Sequence, residues 1–125
     1  MLTAQQQAFV QALEELDLQQ VQRLLTDGLS LNFIDPEKGP VISVWSDGLF
    51  KWWEAICEAY EAGAPLSEQE KQQTLAVHLD ILEQLIHGKA NLHLWDTEEI
   101  YGPLWDAASA ACAPAVKRLL DEEVD

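Results

Sequence analysis

The sequence predicts an all-α fold, a stack of helix-turn-helix repeats with an enlarged helical hairpin in the middle repeat. The first observation behind this is internal repetition. Val21-Gln22-Arg23-Leu24-Leu25 aligns in register with Val116-Lys117-Arg118-Leu119-Leu120, and Leu82-Glu83-Gln84-Leu85-Ile86 lies between them. Leu85 follows Leu24 by 61 residues and precedes Leu119 by 34. A repeat of about 33 residues fits, with an insertion of about 28 in the middle copy, and periods of that size mark stacked helical units. The second observation is that Gly39-Pro40-Val41-Ile42 aligns with Gly102-Pro103-Leu104-Trp105, 63 residues further on. Proline suits the first position of a helix, where its missing N–H costs nothing, and the alanines after Pro103 favour helix. The third is the lack of a convincing pair of strands. Val41-Ile42-Ser43-Val44-Trp45 has strand-forming residues, but its alignment with the alanine-rich segment after Pro103 favours a helix.

Each element follows in order. Thr3-Ala4-Gln5-Gln6 is a capping box, and Phe9, Ala12, Leu13 and Leu16 follow at helical spacing. A second helix runs from Leu18 to about Asp27, with Val21, Leu24 and Leu25 inward, and Gly28 supplies the left-handed residue that ends it. Residues 29–35 read as an extended link and Pro36-Glu37-Lys38-Gly39 as a turn. In the middle unit Leu49, Trp53, Ile56 and Tyr60 share one helical face that is expected to be buried, with Phe50 and Cys57 beside it. Gly63-Ala64-Pro65 stops that helix. Ser67 with Glu70 caps the next, whose stripe is Leu75, Leu79, Leu82 and Ile86. Together these make a long hairpin over about 46–87.

A chain of 125 residues with 48% apolar content is expected to fold as one domain with a real core. Its apolar runs are a few residues long, too short for a membrane span. The start, Met1-Leu2-Thr3-Ala4-Gln5-Gln6-Gln7, has neither the basic nor the apolar region of a signal peptide, so a cytoplasmic location is expected. Cys57 and Cys112 fall in helical patterns and read as small apolar residues rather than a disulfide or a metal pair. Twenty-two acidic residues against seven basic ones give a net charge of −15, spread along the whole chain. Nucleic acid would be repelled, since its binding rests on cationic contacts to phosphate. A cationic protein would be attracted and steered. The same acidity also serves solubility, and composition alone does not choose between the two.

These segments resemble the ankyrin repeat family. The family pattern runs Asp-x-x-Gly-x-Thr-Pro-Leu-His-x-Ala-Ala, then Val-Val-x-Leu-Leu-x-x-Gly-Ala-x-Val-Asn. In the first copy Ala12, Val21, Leu24, Leu25, Gly28, Leu31 and Asn32 fall on matching positions. The second copy supplies Gly39-Pro40-Val41-Ile42 and, after the insertion, Ile81 to His93. The third supplies Tyr101 to Asp125. The resemblance implies one repeat domain over 1–125, with repeat 1 at about 3–35, repeat 2 with its insertion at about 36–96, and repeat 3 at about 97–125. Departures are clear. Gly replaces the threonine before both prolines, Ile42 and Trp105 replace the histidine, and Glu123 replaces the last glycine. Lys89 sits where glycine is expected, and adjacent Gly88 is expected to take over that turn.

No catalytic constellation stands out. His78, His87 and His93 lack zinc spacing; His78 reads as packing at the edge of its helix stripe. Ser43, Ser46 and Ser109 lack a nucleophile elbow, and no glycine-rich phosphate loop is present. The expectation is a non-enzymatic protein with no cofactor and no metal. The resemblance implies recognition of protein partners through turn tips and the concave face of the first helices. Carried onto this chain, the tips are Phe33, Asp35 and Glu37, then Trp95, Asp96, Glu98, Glu99 and Tyr101. The concave helices offer Trp45, Asp47, Trp105 and Asp106, and Trp52 is a further exposed anchor. Aromatic rings can anchor a partner while carboxylates pair with Lys or Arg. The expected function is therefore a protein–protein interaction module with a basic partner, as a monomer or a 1:1 complex. In its sharper form it is an acidic inhibitor or immunity protein that neutralises a cationic protein such as a nuclease toxin. The alternatives are a neutral scaffold or adaptor, and a small-molecule-binding or enzymatic domain with a pocket near the inserted hairpin.

Overall fold

The computed structural model describes residues 1–93 and 102–124, and nearly all of their regular structure is helical. Six helices form three successive pairs. They are α1 (Ala4–Glu15) with α2 (Leu18–Thr26), α3 (Val41–Glu61) with α4 (Glu68–His87), and α5 (Pro103–Ser109) with α6 (Ala113–Asp121). Residues 41–45 are thus the start of a helix, as the Gly-Pro alignment predicts, and not a strand. The extended link before them closes into two-residue strands, β1 (Ile34–Asp35) and β2 (Gly39–Pro40). These pair antiparallel, with Ile34 opposite Pro40 and Asp35 opposite Gly39. The Asp35 carboxylate holds the intervening turn by accepting from the backbone N–H of Glu37 at 2.8 Å and of Lys38 at 3.1 Å.

Local sequence explains where the helices begin. The Thr3 hydroxyl accepts from the Gln6 N–H and the Gln6 side chain accepts from the Thr3 N–H, so two orphan donors of α1 are satisfied together. Asp17 and Ser67 cap α2 and α4 by accepting from Gln20 and Glu70.

The helix ends repeat more closely than the sequence does. After α2, α4 and α6 the chain turns through a left-handed residue, Gly28 (φ 90°), Lys89 (φ 61°) and Glu123 (φ 62°). The next N–H returns to the last turn each time: Leu29 to Leu24, Ala90 to Leu85 and Val124 to Leu119. The turns after α1, α3 and α5 repeat the same form, with Leu16, Gly63 and Ala111 left-handed. There Asp17, Ala64 and Cys112 donate to Ala12, Ala59 and Ala107. Gly88 does not take over the turn after α4; Lys89 adopts the left-handed conformation itself. Gly88 instead sits close to Leu31 and Leu25, and a Cβ there, 2.9 Å from Leu31 Cδ1 and 3.0 Å from Leu25 Cδ2, would push those side chains aside.

The pairs pack in sequence, α1 on α3 and α3 on α5 along one row, α2 on α4 along the other. Phe9, Val21, Ile42, Leu49, Ile81, Leu82, Leu85 and Leu119 are fully buried between the rows. Each such side chain contributes roughly 1.5–3 kcal/mol of hydrophobic stabilisation. Arg118 on α6 closes the second row through ion pairs with Glu83 on α4 and Glu122 on its own helix.

Helix α3 has 21 residues, whereas its neighbours α1 and α5 have 12 and 7. Its first turns are therefore enclosed on both sides, and residues 41–46 are all buried. Beyond Leu49 none is. The stripe expected to be buried is accordingly graded: Leu49 is inaccessible, Trp53 and Ile56 are half-buried, and Tyr60 is exposed. Trp53→Ala is therefore expected to cost about 1–3 kcal/mol, below the 3–5 of a fully enclosed tryptophan, as read by urea melts followed by circular dichroism. No helix among the described residues is long and apolar enough to cross a membrane.

Candidate partner-binding face

Ser46 and Asp106 join α3 to α5. The Ser46 hydroxyl, itself buried, donates to Asp106 Oδ2 at 2.9 Å. Burial of the Asp106 carboxyl pushes its pKa up, the Ser46 hydrogen bond pulls it down, and nearby Asp47 adds to the rise. Next to it in sequence, Trp105 is 44% exposed, and its ring lies 6.2 Å from that of Phe50 on α3. Trp105 and Phe50 thus form a two-ring surface that spans both helices, with the Asp106 carboxyl beside it.

The acidic side of this face is a groove where α1, the β1–β2 turn and the start of α3 meet. It encloses about 390 Å³ and is lined by Glu14, Glu37, Lys38, Val44, Asp47, Gly48 and Lys51. Both lysines are paired within the chain, Lys38 with Glu14 and Lys51 with Asp47. The hydrogen bond to Asp47 raises the Lys51 pKa.

The expected contact residues divide into four groups. Asp47, Trp105 and Asp106 come together on the α3–α5 face, and Glu37 is exposed at the edge of the adjoining groove. Asp35 is half-buried and occupied with its own turn. Phe33, Trp45 and Trp52 are corrected. Phe33 is buried, edge-on to Phe9 at 6.5 Å, because the link before β1 lies against α1. Trp45 is 2% exposed, and its indole N–H donates to the His78 backbone carbonyl at 2.8 Å. Trp52 is half-buried with its ring 5.5 Å from the His78 imidazole, so it packs α3 on α4 and is not an exposed anchor. Trp95, Asp96, Glu98, Glu99 and Tyr101 lie outside the described residues.

Sequence reasoning missed Phe50, Ser46, Glu14 and Lys38. Phe50 was legible as the residue beside the apolar stripe of α3. Glu14 and Lys38 stand 24 residues apart on different elements, and no local pattern brings them together.

Among the described residues, no group of three or more His, Cys, Asp or Glu side chains is placed to hold a metal ion. Cys57 and Cys112 are both free, and burial raises the Cys112 thiol pKa. Comparison with known proteins finds no family model, no curated protein and no solved structure that matches this chain.

Proposed function

We propose that this chain is a small acidic binding protein of ankyrin type, and that its α3–α5 face holds a basic protein partner. The observation that carries the reading is Trp105, 44% exposed with its ring against Phe50, and next to it in sequence Asp106, whose carboxyl lies near that of Asp47. A large ring in a carboxylate setting can cover the stem of an arginine or lysine while the acids pair with its head. Three helix pairs whose helices all end in one repeated turn support the ankyrin assignment. Small size and a charge of −15 support the sharper form, an inhibitor or immunity protein that neutralises a cationic protein such as a nuclease.

Co-purification identifies the partner, and surface plasmon resonance at low and high salt then tests the face. Exposed charges are screened beyond about 8 Å at physiological ionic strength. Asp47→Asn is therefore expected to slow association and flatten its salt dependence. Trp105→Ala is expected to speed dissociation by about tenfold or more, as loss of an anchor does. Association that ignores salt supports the adaptor reading. Dissociation unchanged by Trp105→Ala moves the interface off this face.

A further inference from the structure

The geometry points to a second copy of this chain as the occupant of the apolar end face formed by α5 and α6, docked about a two-fold axis. That face carries a groove of about 560 Å³ lined by Ala108, Cys112, Ala113, Val116 and Leu120, among others, with Lys117 and Asp121 at its rim. Leu120 is 54% exposed. Arg118 fixes which way the helix faces, because it pairs with Glu83 on α4. Val116 and Leu120 lie two residues to either side of Arg118, about 200° round the helix, and so face away from α4. The first helix pair differs, since half of its exposed positions are glutamines, Gln5, Gln7, Gln11, Gln19 and Gln22, and most of the rest are charged or polar. A head-to-tail contact would bury those amides against alanine and leucine, whereas a tail-to-tail contact covers apolar surface with apolar surface.

The rim charges fit the same arrangement. Lys117 and Asp121 are four residues apart on α6, one of each sign. When two α6 helices cross antiparallel at a two-fold axis, Lys117 of one protomer comes opposite the partner's Asp121, and the pair is made twice. Leu120 then enters the groove of the other protomer. The net charge over 102–124 is −2, from four acids and two bases, and that of the chain is −15. With helices of seven and nine residues, the contact falls at the small end of specific interfaces. The dimer is therefore weak, and it forms at high protein concentration. Its salt dependence is opposite in sign to that of a basic partner, because salt screens the repulsion between two acidic protomers. This departs from the monomer that the sequence suggests, and it does not rest on the proposed function.

Sedimentation equilibrium of the full chain at about 0.02 M and about 0.5 M salt tests it. Self-association that strengthens with salt is expected. Leu120→Glu is expected to weaken it by about tenfold or more while leaving the far-ultraviolet circular dichroism unchanged. Lys117→Glu and Asp121→Lys should each weaken it, and the double variant should restore it. A chain that stays monomeric at every concentration and salt overturns the inference. So does a dimer that weakens with salt or tolerates Leu120→Glu. A monomer whose Leu120→Glu variant loses the basic partner instead assigns the face to that partner and equally overturns self-docking.

Discussion

Trp45→Ala is expected to cost about 3–5 kcal/mol of folding stability, the range for truncating an enclosed tryptophan. Trp45 occupies the stretch of α3 that is enclosed between α1 and α5, and it is 2% exposed. Two losses combine in the variant. Removing the indole leaves a cavity that rigid helices on both sides cannot close, and it strips the His78 carbonyl of the 2.8 Å donor that ties α4 to α3. Trp45→Phe separates them, since it keeps most of the volume and loses only the donor. It should cost about 1–3 kcal/mol. Trp105→Ala, at a ring that is 44% exposed, should cost less than Trp45→Ala in the same urea melts. A Trp45→Ala protein that melts with wild type would show that the α3–α4 seam is not where the stability resides.

Acidification is expected to remove about 3 kcal/mol through His78. This residue is 2% exposed, neither ring nitrogen has a hydrogen-bond partner among the described residues, and the Trp52 ring from α3 lies near it. Burial alone lowers its pKa from 6.5 to about 4. No charged group contributes to that shift, so no carboxylate stabilises an imidazolium there. The depressed value means that the unfolded chain binds the proton first. The stability is therefore complete above pH 6.5 and falls as the pH drops towards 4. Below 4 the folded protein is protonated too, and the loss stops growing. Relief of the mutual repulsion among the 22 acidic residues acts in the opposite sense on acidification. The His78 contribution is thus read as a difference between wild type and His78→Leu, melted in urea from pH 7.5 to 4. The variant should match or exceed wild type at neutral pH, since it removes the unpartnered nitrogens, and it should lack the decline below 6.5. Equal pH profiles for the two proteins would show that His78 does not carry the acid sensitivity.

The helix pattern was legible because it rests on spacing. The Leu24, Leu85 and Leu119 alignment located the final turns of α2, α4 and α6, and the capping residues Thr3 and Ser67 marked two starts. The turns were harder to read, because Leu16, Lys89, Ala111 and Glu123 take left-handed conformations where glycine is the usual signal. Packing and the hydrogen bonds of the turn, repeated at all six helix ends, override the cost of a side chain there, about 1–2 kcal/mol per residue. The candidate face was legible only in part. Trp105, Asp106 and Asp47 carry the right residue types in the right helices, but Trp45 and Trp52 carry the same types on the same helix. What divides them is which neighbouring helix stands alongside, and how far it extends. Trp45 and Trp52 both turn towards His78 on α4, which the local pattern of α3 does not reveal.

The unequal lengths of α3 and its neighbours mean that one continuous helix has two different opening free energies. Its first two turns cannot lose their backbone hydrogen bonds without separating α1 and α5, so their amides exchange with solvent only when the whole chain unfolds. Its last three turns pack on the core only through half-buried residues such as Trp52 and Trp53, and they can open while the rest stays intact. Solvent hydrogen therefore reaches the two ends of a single helix on separate clocks, with the change of rate near Leu49.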